Sequence, residues 1–525
     1  MNELLPRDLA KPIWSSAVAK DVDCLSIQQH HIPSQTLMKS AGYWVANSTA
    51  IECRPGQKIT VLAGPGNNGG DGLVAAIYLS AWNFDVTVYD PQYDPEEMSD
   101  DRLHYWKQCQ KQRVQICSNR QEFLHRCRGS VLIDALLGLG LKGHLRQGSS
   151  KVLLESIQKA GPAKTIAVDV PSGLDSDLFE QPAPILPADL TVSFGAAKPV
   201  HKVQPIAQYC GQVKIFPIGF SPAAVFESLK QEKTKLWELD KSLVSKLSTF
   251  SHLAKNSHKF DRGHVLVIGG SQGKLGAPIM AASAAARAGA GWVSIACPEK
   301  PENLPAYLTY ENLFESQALN LKRLEAFIDL RKVKSVVIGP GMVSSPFSHG
   351  SLSELVAKLS QRGITFIIDA GAIHNITNFI SSPWNAEKVL LTPHPGELKK
   401  SNLTQNSVGS MDDLHNLNRS CSAFGFSLFY KSASPCSISP ELENDYLFSS
   451  FSDAKLGKAG TGDVIAGICA GLSLSFFPIW SLGPLSHYIL ATEWERLEGE
   501  FGDSVLPADV ANTINLHNIF APERF

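Results

Sequence analysis

Short runs of Val, Ile and Leu recur along this chain, separated by stretches long enough for a helix. In the first half they are "KITVLA", "DVTVYD", "SVLIDALLG", "TIAVDVPSG", "LTVSFGA" and "GQVKIFPIG". A second series reads "HVLVIGGS", "WVSIACP", "SVVIGPG", "ITFIIDAG" and "VLLTPHPG". Runs that stay apolar without alternating belong to strands buried on both faces. The pattern predicts an α/β chain of two domains, each a parallel sheet covered by helices on both sides. Between the series, "SPAAVFESLKQEKTKLWELDKSLVSKLSTF" is polar and shows no obvious buried strand, which puts the boundary near 220–240 and the domains at 1–225 and 236–525. Residues 1–50 read as helical, with "QTLMKSAGYWVANS" amphipathic and packed on the first sheet. The longest apolar stretch, "VIAGICAGLSLSFFPIW", is broken by Gly, Ser and Pro478 and reads as a buried core helix, not a membrane span.

Length and charge narrow the picture. At 525 residues the chain is too long for one ordinary core. With 48 basic and 50 acidic residues and a net charge of -2, no broad field favours nucleic acid or membranes, so the expected partners are small molecules. Ten Cys without a C-x-x-C pair suit reduced thiols and a cytoplasmic location. "MNELLPRDLAKPIW" carries charges and prolines where a signal peptide needs an apolar core. Homo-oligomerisation is left open.

The chemistry of the first half gathers where strands end, since doubly wound sheets bind ligands at the C-terminal ends of their strands. In "GPGNNGGDGL", Gly64, Gly66 and Gly69 meet the G-x-G-x-x-G spacing and Asp90 ends the next strand, which alone would suggest a redox dinucleotide fold. Such a loop has no use for the Asn67-Asn68 pair followed by Gly69-Gly70-Asp71. "IDALLGLGLKGHLR" follows with Asp134 and then Gly138, Gly140, Gly143 and Arg146; "VDVPSGLDSD" brings Asp169, Ser172 and Asp175; "SFGAAKPVH" brings Lys198. Bare loops feeding helices suit a pyrophosphate. An unpaired carboxylate at the end of an apolar strand is costly, so Asp134 and Asp169 call for a cation or a polar substrate. The alternative is structural: Asp134 caps a helix and Asp169 pins the "PSG" turn.

In the second half, "GGSQGKL" fails as a P-loop because Ile268 and Leu275 occupy required positions. "KAGTGDVIAG" is the better candidate: Gly460, Thr461 and Gly462 open an apolar helix with Asp463 in its first turn, an anion hole beside a base. A favourable helix-start residue is the alternative for Asp463. "LLTPHPGEL" places His394 and Glu397 at a strand end, where substrate or nucleotide contact fits better than a metal pair.

Taken in order, "GPGNNGGDGL", "DALLGLGLKG", "VDVPSGLDSD" and "SFGAAKP" resemble the NAD(P)H-hydrate epimerase family across nearly all of residues 1–220. The resemblance implies a Rossmann-like three-layer αβα domain with Asp169 as catalytic residue. It implies substrate contacts from Asn67, Asn68, Gly69, Gly70 and Asp71, from Gly138, Leu139, Gly140, Leu141, Lys142, Gly143, His144, Leu145 and Arg146, and from Asp169. It also implies one potassium ion per epimerase site, held by oxygens of Asn68, Asp134 and Ser172. Leu139 stands where the family usually has a small polar residue.

The series "VLVIGGS", "RAGAGWV", "VIGPGM", "DAGAI", "LTPHPGE" and "GTGD" resembles the ADP/ATP-dependent NAD(P)H-hydrate dehydratase family, which is ribokinase-like, over roughly 240–525. By that resemblance Ala277, Gly341, His394 and the catalytic Asp463 contact substrate. Lys431, Gly460, Thr461 and Gly462 contact the nucleotide, and ADP is the co-substrate with Mg²⁺. Three places depart from the family: Ser432 in "YKSAS", Gly371 in "DAGAI", and Lys274-Leu275 where an aromatic is common.

The tandem order resembles the bifunctional NAD(P)H-hydrate repair enzymes. It implies that the first domain epimerises R and S hydrates of NADH and NADPH, and that the second dehydrates the S hydrate at the expense of ADP, giving NAD(P)H, AMP and phosphate. Two alternatives stand beside this: a ribokinase-like vitamin or sugar kinase fused to a nucleotide-binding module, and a non-catalytic binding protein.

Overall fold

The computed structural model describes residues 4–520 except 55, 92–97, 144–147, 180–183, 246, 248–260, 316, 343–348, 379, 402, 405–407 and 450–453. The chain divides into two compact units: Pro12–Lys235, and Leu236–Phe525 together with the residues up to Lys11.

The first unit is built on seven strands: Ile59–Ala63, Val86–Tyr89, Gln115–Cys117, Val131–Ala135, Lys164–Val168, Leu190–Phe194 and Gln212–Phe216. Numbered in chain order they stand 3-2-1-4-5-6-7, and every neighbouring pair is parallel. Ile59–Ala63 and Val131–Ala135 are buried at every position, as the unbroken apolar runs require of strands covered on both faces. Strand order reverses between these two, which opens a crevice at their C-terminal ends. Helix Ser34–Glu52 lies against helix Asn67–Ala81, and at their contact a Cβ on Gly42 would stand 2.4 Å from Val74 Cβ.

In the second unit, His264–Ile268, Trp292–Ala296, Val333–Ile338, Thr365–Ile368, Val389–Leu391 and Ser427–Tyr430 form the parallel centre of an eleven-stranded sheet. The parallel pattern is not kept to the edge. Cys436–Ile438 and Tyr446–Phe448 add antiparallel neighbours, followed by Leu236–Leu239 and the strand Ala10–Ile13. Small residues let helix Gly276–Arg287 lie close on helix Thr461–Leu472, where a Cβ on Gly467 would meet the Ala281 carbonyl at 2.1 Å.

Three expectations are corrected. The segment read as strandless contains Leu236–Leu239, whose half-buried middle positions break the apolar run that marks a central strand. Residues 1–50 are not all helical, since Ala10–Ile13 is a strand, and Asp240 N–H donates to the Leu9 carbonyl at 2.9 Å. "VIAGICAGLSLSFFPIW" is buried over Val464–Leu472 but is not one helix: the chain turns after Leu472, and Pro478 starts helix Ile479–Phe501. Among the described residues no helix is long and apolar enough to cross a membrane.

Candidate functional site

At the crevice of the first unit the glycines divide into two kinds. A Cβ on Gly64 would stand 1.8 Å from the Leu136 carbonyl, one on Gly69 2.0 Å from the Gly64 carbonyl, and one on Gly70 2.6 Å from the Met38 sulfur. These three serve packing. Gly66 and Gly140 have nothing within 4 Å, and they border a cavity of about 520 Å³ together with Asn67, Asn68, Asp71, Gly138, Leu139 and Asp169. Helix Asn67–Ala81 starts there behind Gly66 with no side-chain cap, so its first N–H groups stay available to an anion. Trp14, Leu37, Met38 and Phe220 supply an apolar wall. An apolar wall facing charged and amide side chains suits an organic ring held in one orientation.

Leu141, Lys142 and Gly143 do not border this cavity. Lys142 is paired with Asp177 at 2.9 Å and donates to Ser16, and Gly143 N–H donates to Asp175 at 2.6 Å. His144, Leu145 and Arg146 lie outside the described residues. Asp90, the residue that would hold a ribose in a redox dinucleotide fold, is buried against the fully buried Arg102 instead.

Neither strand-end aspartate takes the structural role expected of it. Asp134, fully buried, pins the "PSG" turn by accepting from Ser172 N–H at 2.7 Å and Ser172 Oγ at 2.6 Å, and it also accepts from Leu136 N–H at 3.3 Å. Burial pushes its carboxyl up to about 6 against those hydrogen bonds. Asn68 reaches the loop that follows the Asp134 strand: its Oδ1 would lie 3.1 Å from a Cβ on Gly138, and its Nδ2 is buried without a partner among the described residues. Asp169 leaves the turn alone. Its Oδ1 accepts from Lys198 Nζ at 2.6 Å and Ser193 Oγ at 2.8 Å, and its carbonyl is 2.9 Å from His201 Nε2. Burial alone would raise this carboxyl; the Lys198 ammonium outweighs it and holds the group below the ordinary carboxylate range.

In the second unit, Lys431 Nζ lies 2.5 Å from Asp369 Oδ1, which also accepts from Thr392 Oγ1 at 2.8 Å. A Cβ on Gly462 would stand 3.0 Å from Lys431 Nζ, so the ammonium sits against the "GTGD" turn. Burial works against the Lys431 charge, but Asp369 and Glu397 hold it above the ordinary lysine range. Thr461 Oγ1 is buried without a partner among the described residues. Asp463 makes no hydrogen bond to its own helix or to any other described residue, so its place is not explained as a cap. Burial and then the Asp369 charge push it up to about 7, with Lys431 pulling the other way.

Gly341, at φ +73°, packs against the loop before Ala277, where its Cβ would meet the Lys274 carbonyl at 2.5 Å and the Ala277 Cβ at 3.2 Å. His394 caps helix Pro395–Lys400: Nδ1 accepts from Gly396 N–H at 2.9 Å, and Glu397 reciprocates by accepting from His394 N–H at 2.9 Å. Gly371 cannot carry a longer side chain in this backbone, since its Cβ would lie 2.3 Å from the Met342 carbonyl. Ser432 Oγ donates to the Ser434 carbonyl at 2.8 Å and closes its own turn.

Sequence reasoning missed Asp369, Thr392, Ser193 and His201. Asp369 carried the signal used for Asp134 and Asp169, a carboxylate closing an apolar strand. The other three are ordinary residues that only the fold brings close.

Two family descriptions match the chain, YjeF-related protein N-terminus over residues 34–200 and NAD(P)H-hydrate dehydratase over residues 265–511. The bifunctional NAD(P)H-hydrate repair enzyme Nnr of Hyperthermus butylicus is 30% identical across 83% of this chain and 79% of its own length. That of Dictyoglomus turgidum is 27% identical across 94% of this chain and 97% of its own. A crystal structure of ADP/ATP-dependent NAD(P)H-hydrate dehydratase from Bacillus subtilis, co-crystallised with ATP and Mg²⁺, is 19% identical, with a TM-score of 0.41 over 54% of this chain and 95% of that one. With an epimerase-type unit and a dehydratase-type unit in one polypeptide, this chain belongs to the family of bifunctional NAD(P)H-hydrate repair enzymes.

Proposed function

We propose that the first unit epimerises the R and S hydrates of NADH and NADPH at Asp169, and that the second dehydrates the S hydrate with ADP at Asp463. The observation that carries this reading is the pair of carboxylates, one closing a strand in the first unit and one starting a helix in the second, each beside glycine turns and each with a lysine in its site, Lys198 on Asp169 and Lys431 against the Gly462 turn.

In the second unit Asp463 takes the proton of the substrate hydroxyl as that oxygen attacks the terminal phosphorus of ADP. Lys431 and the amides of the Gly460–Gly462 turn steady the charge on the phosphoryl group and on departing AMP. The hydroxyl, a poor leaving group, becomes a phosphate ester; the ring nitrogen's lone pair expels it as phosphate, and the neighbouring ring carbon gives up a proton to the departing phosphate as the ring double bond re-forms. Among the described residues no three His, Cys, Asp or Glu side chains could hold a metal together. Mg²⁺ therefore comes with the ADP phosphates, where it would offset their charge.

Potassium fits the first unit. Asp134, Ser172 and, with its amide turned over, Asn68 offer oxygens, the donor type of hard ions, and Nδ2 of Asn68 has no other use in its present orientation. A cation there would offset the Asp134 charge and tie the 64–72 loop to the loop after Ala135.

The test is incubation of mixed NADH hydrates with the full chain, following dihydronicotinamide absorbance. Complete recovery of NADH requires ADP and both units. Recovery that stops at the S fraction removes the epimerase, and a stable phosphorylated product in place of NADH would point to a kinase.

A further inference from the structure

The Lys198 ammonium has three N–H donors, and all are used: Asp169 Oδ1 at 2.6 Å, Ser193 Oγ at 3.0 Å and the Phe194 carbonyl at 2.9 Å. Lys198 stands at the cavity wall with no proton left to offer a ligand. Asp169 Oδ1 also accepts from Ser193 at 2.8 Å, whereas Oδ2 has no partner among the described residues. Behind them His201 Nδ1 accepts from Lys198 N–H at 3.1 Å, which leaves its proton on Nε2 for the Asp169 carbonyl at 2.9 Å. That contact holds Asp169 at φ +62°, a region sparsely populated by residues other than glycine. Asp71 faces the same cavity with no hydrogen-bond or ion-pair partner among the described residues.

We propose that Lys198 is the positioning residue of the epimerase site: it commits Asp169 to the carboxylate form, with Oδ2 turned to substrate as base, and leaves Asp71 as the proton donor. This rests on the epimerase reading above. Water adds to an enamine at the carbon beside nitrogen, so the hydrate's hydroxyl sits on a carbon bonded to the ring nitrogen. Asp169 Oδ2 takes the hydroxyl proton, a carbonyl forms, the C–N bond breaks with its electron pair going to nitrogen, and Asp71 protonates that nitrogen. After rotation the nitrogen attacks the other face of the carbonyl and returns its proton to Asp71, while the oxygen recovers its proton from Asp169. Both carboxyl groups end as they began.

The protonation states agree with this division. Burial, together with the charges of Asp169 and Asp23, holds the Asp71 carboxyl well above the ordinary range, while Lys198 holds Asp169 below it. The other titratable groups on the cavity wall are Lys20, Asp23 and Asp101; His201, lowered to about 3 by burial and Lys198, stays neutral behind Asp169.

The experiment is the pH profile of R-to-S conversion by the full chain, in wild type, Lys198→Met, Lys198→Arg and Ser193→Ala. The wild-type profile is bell-shaped. In Lys198→Met its acid limb moves up by about 1–3 pH units, the size of an opposite charge removed from a carboxylate, and kcat at neutral pH falls about tenfold or more with KM little changed. Lys198→Arg moves the limb back toward wild type. The first unit's own transition in chemical denaturation of the same variant reports that this unit is folded. If Lys198→Met does not fold, Ser193→Ala, which strips one hydrogen bond from Asp169 Oδ1, shows the same shift at smaller size. A folded variant whose acid limb and kcat stay at wild-type values overturns the proposal. A wild-type chain that does not interconvert the hydrates overturns the epimerase reading itself, a result distinct from an active wild type indifferent to Lys198.

Discussion

Ser172 spans the Asp134 carboxylate, its N–H donating to Oδ2 at 2.7 Å and its hydroxyl to Oδ1 at 2.6 Å. The same hydroxyl accepts from Leu137 N–H at 2.9 Å, so one small side chain joins the loops that follow the fourth and fifth strands of the first sheet.

Ser172→Ala removes that junction and leaves two buried groups short of a partner. The expected loss is about 1–3 kcal/mol from the first unit, read by chemical denaturation as a shift of one of two transitions. A change confined to a few tenths of that would show that the loops are held by other contacts.

Potassium binding at Asp134 makes the first unit sensitive to the cation supplied. Exhaustive exchange into a large organic cation should lower both epimerase activity and the melting temperature of that unit. Asp134→Asn, which has no charge to offset, should respond less. If neither quantity moves in wild type, the cation assignment fails.

Asp169→Asn keeps the shape of the side chain and removes the base. Epimerisation should fall by roughly 10²- to 10⁴-fold, the usual value of one positioned proton-transfer group, while dehydration of the S hydrate continues. Unchanged R-to-S conversion in the folded variant would take Asp169 out of the mechanism.

Asp463 works as a base only when ionised, and its carboxyl is pushed up to about 7. Dehydration should therefore decline as pH falls through 7 and approach a tenfold loss per unit below it. Asp463→Asn should flatten that limb and slow single-turnover dehydration at least about 10²-fold, with ADP binding by calorimetry near normal because the Gly460–Gly462 amides remain. Parallel loss of binding and activity in a folded variant would rule out the base assignment.

The two kinds of glycine in "GPGNNGGDGL" separate by substitution. Gly64→Ala would place a Cβ 1.8 Å from the Leu136 carbonyl and should destabilise the first unit by about 3 kcal/mol or more. Gly66→Ala meets nothing within 4 Å and should fold normally but bind the hydrates more weakly. Equal effects on stability would show that both positions serve packing.

Several features were determined by sequence alone. Unbroken apolar runs announced central strands, because a strand covered on both faces has no polar side to show. Carboxylates closing such runs marked Asp134 and Asp169, since a charge at the end of a buried strand needs a partner; Asp369 obeys the same rule but was passed over. Tertiary structure decided which partner each received. "TIAVDVPSG" does not reveal that Asp169 answers to Lys198, 29 residues on, while the adjacent Ser172 answers to Asp134, 38 residues back. Nor does a row of glycines disclose that Gly64 and Gly69 yield to a neighbouring carbonyl while Gly66 borders the open cavity, because only the approach of another loop distinguishes them. The outermost strand Ala10–Ile13 and its neighbour Leu236–Leu239 were missed for a related reason: partly exposed strands carry mixed residues, and their pairing is a property of the sheet they join.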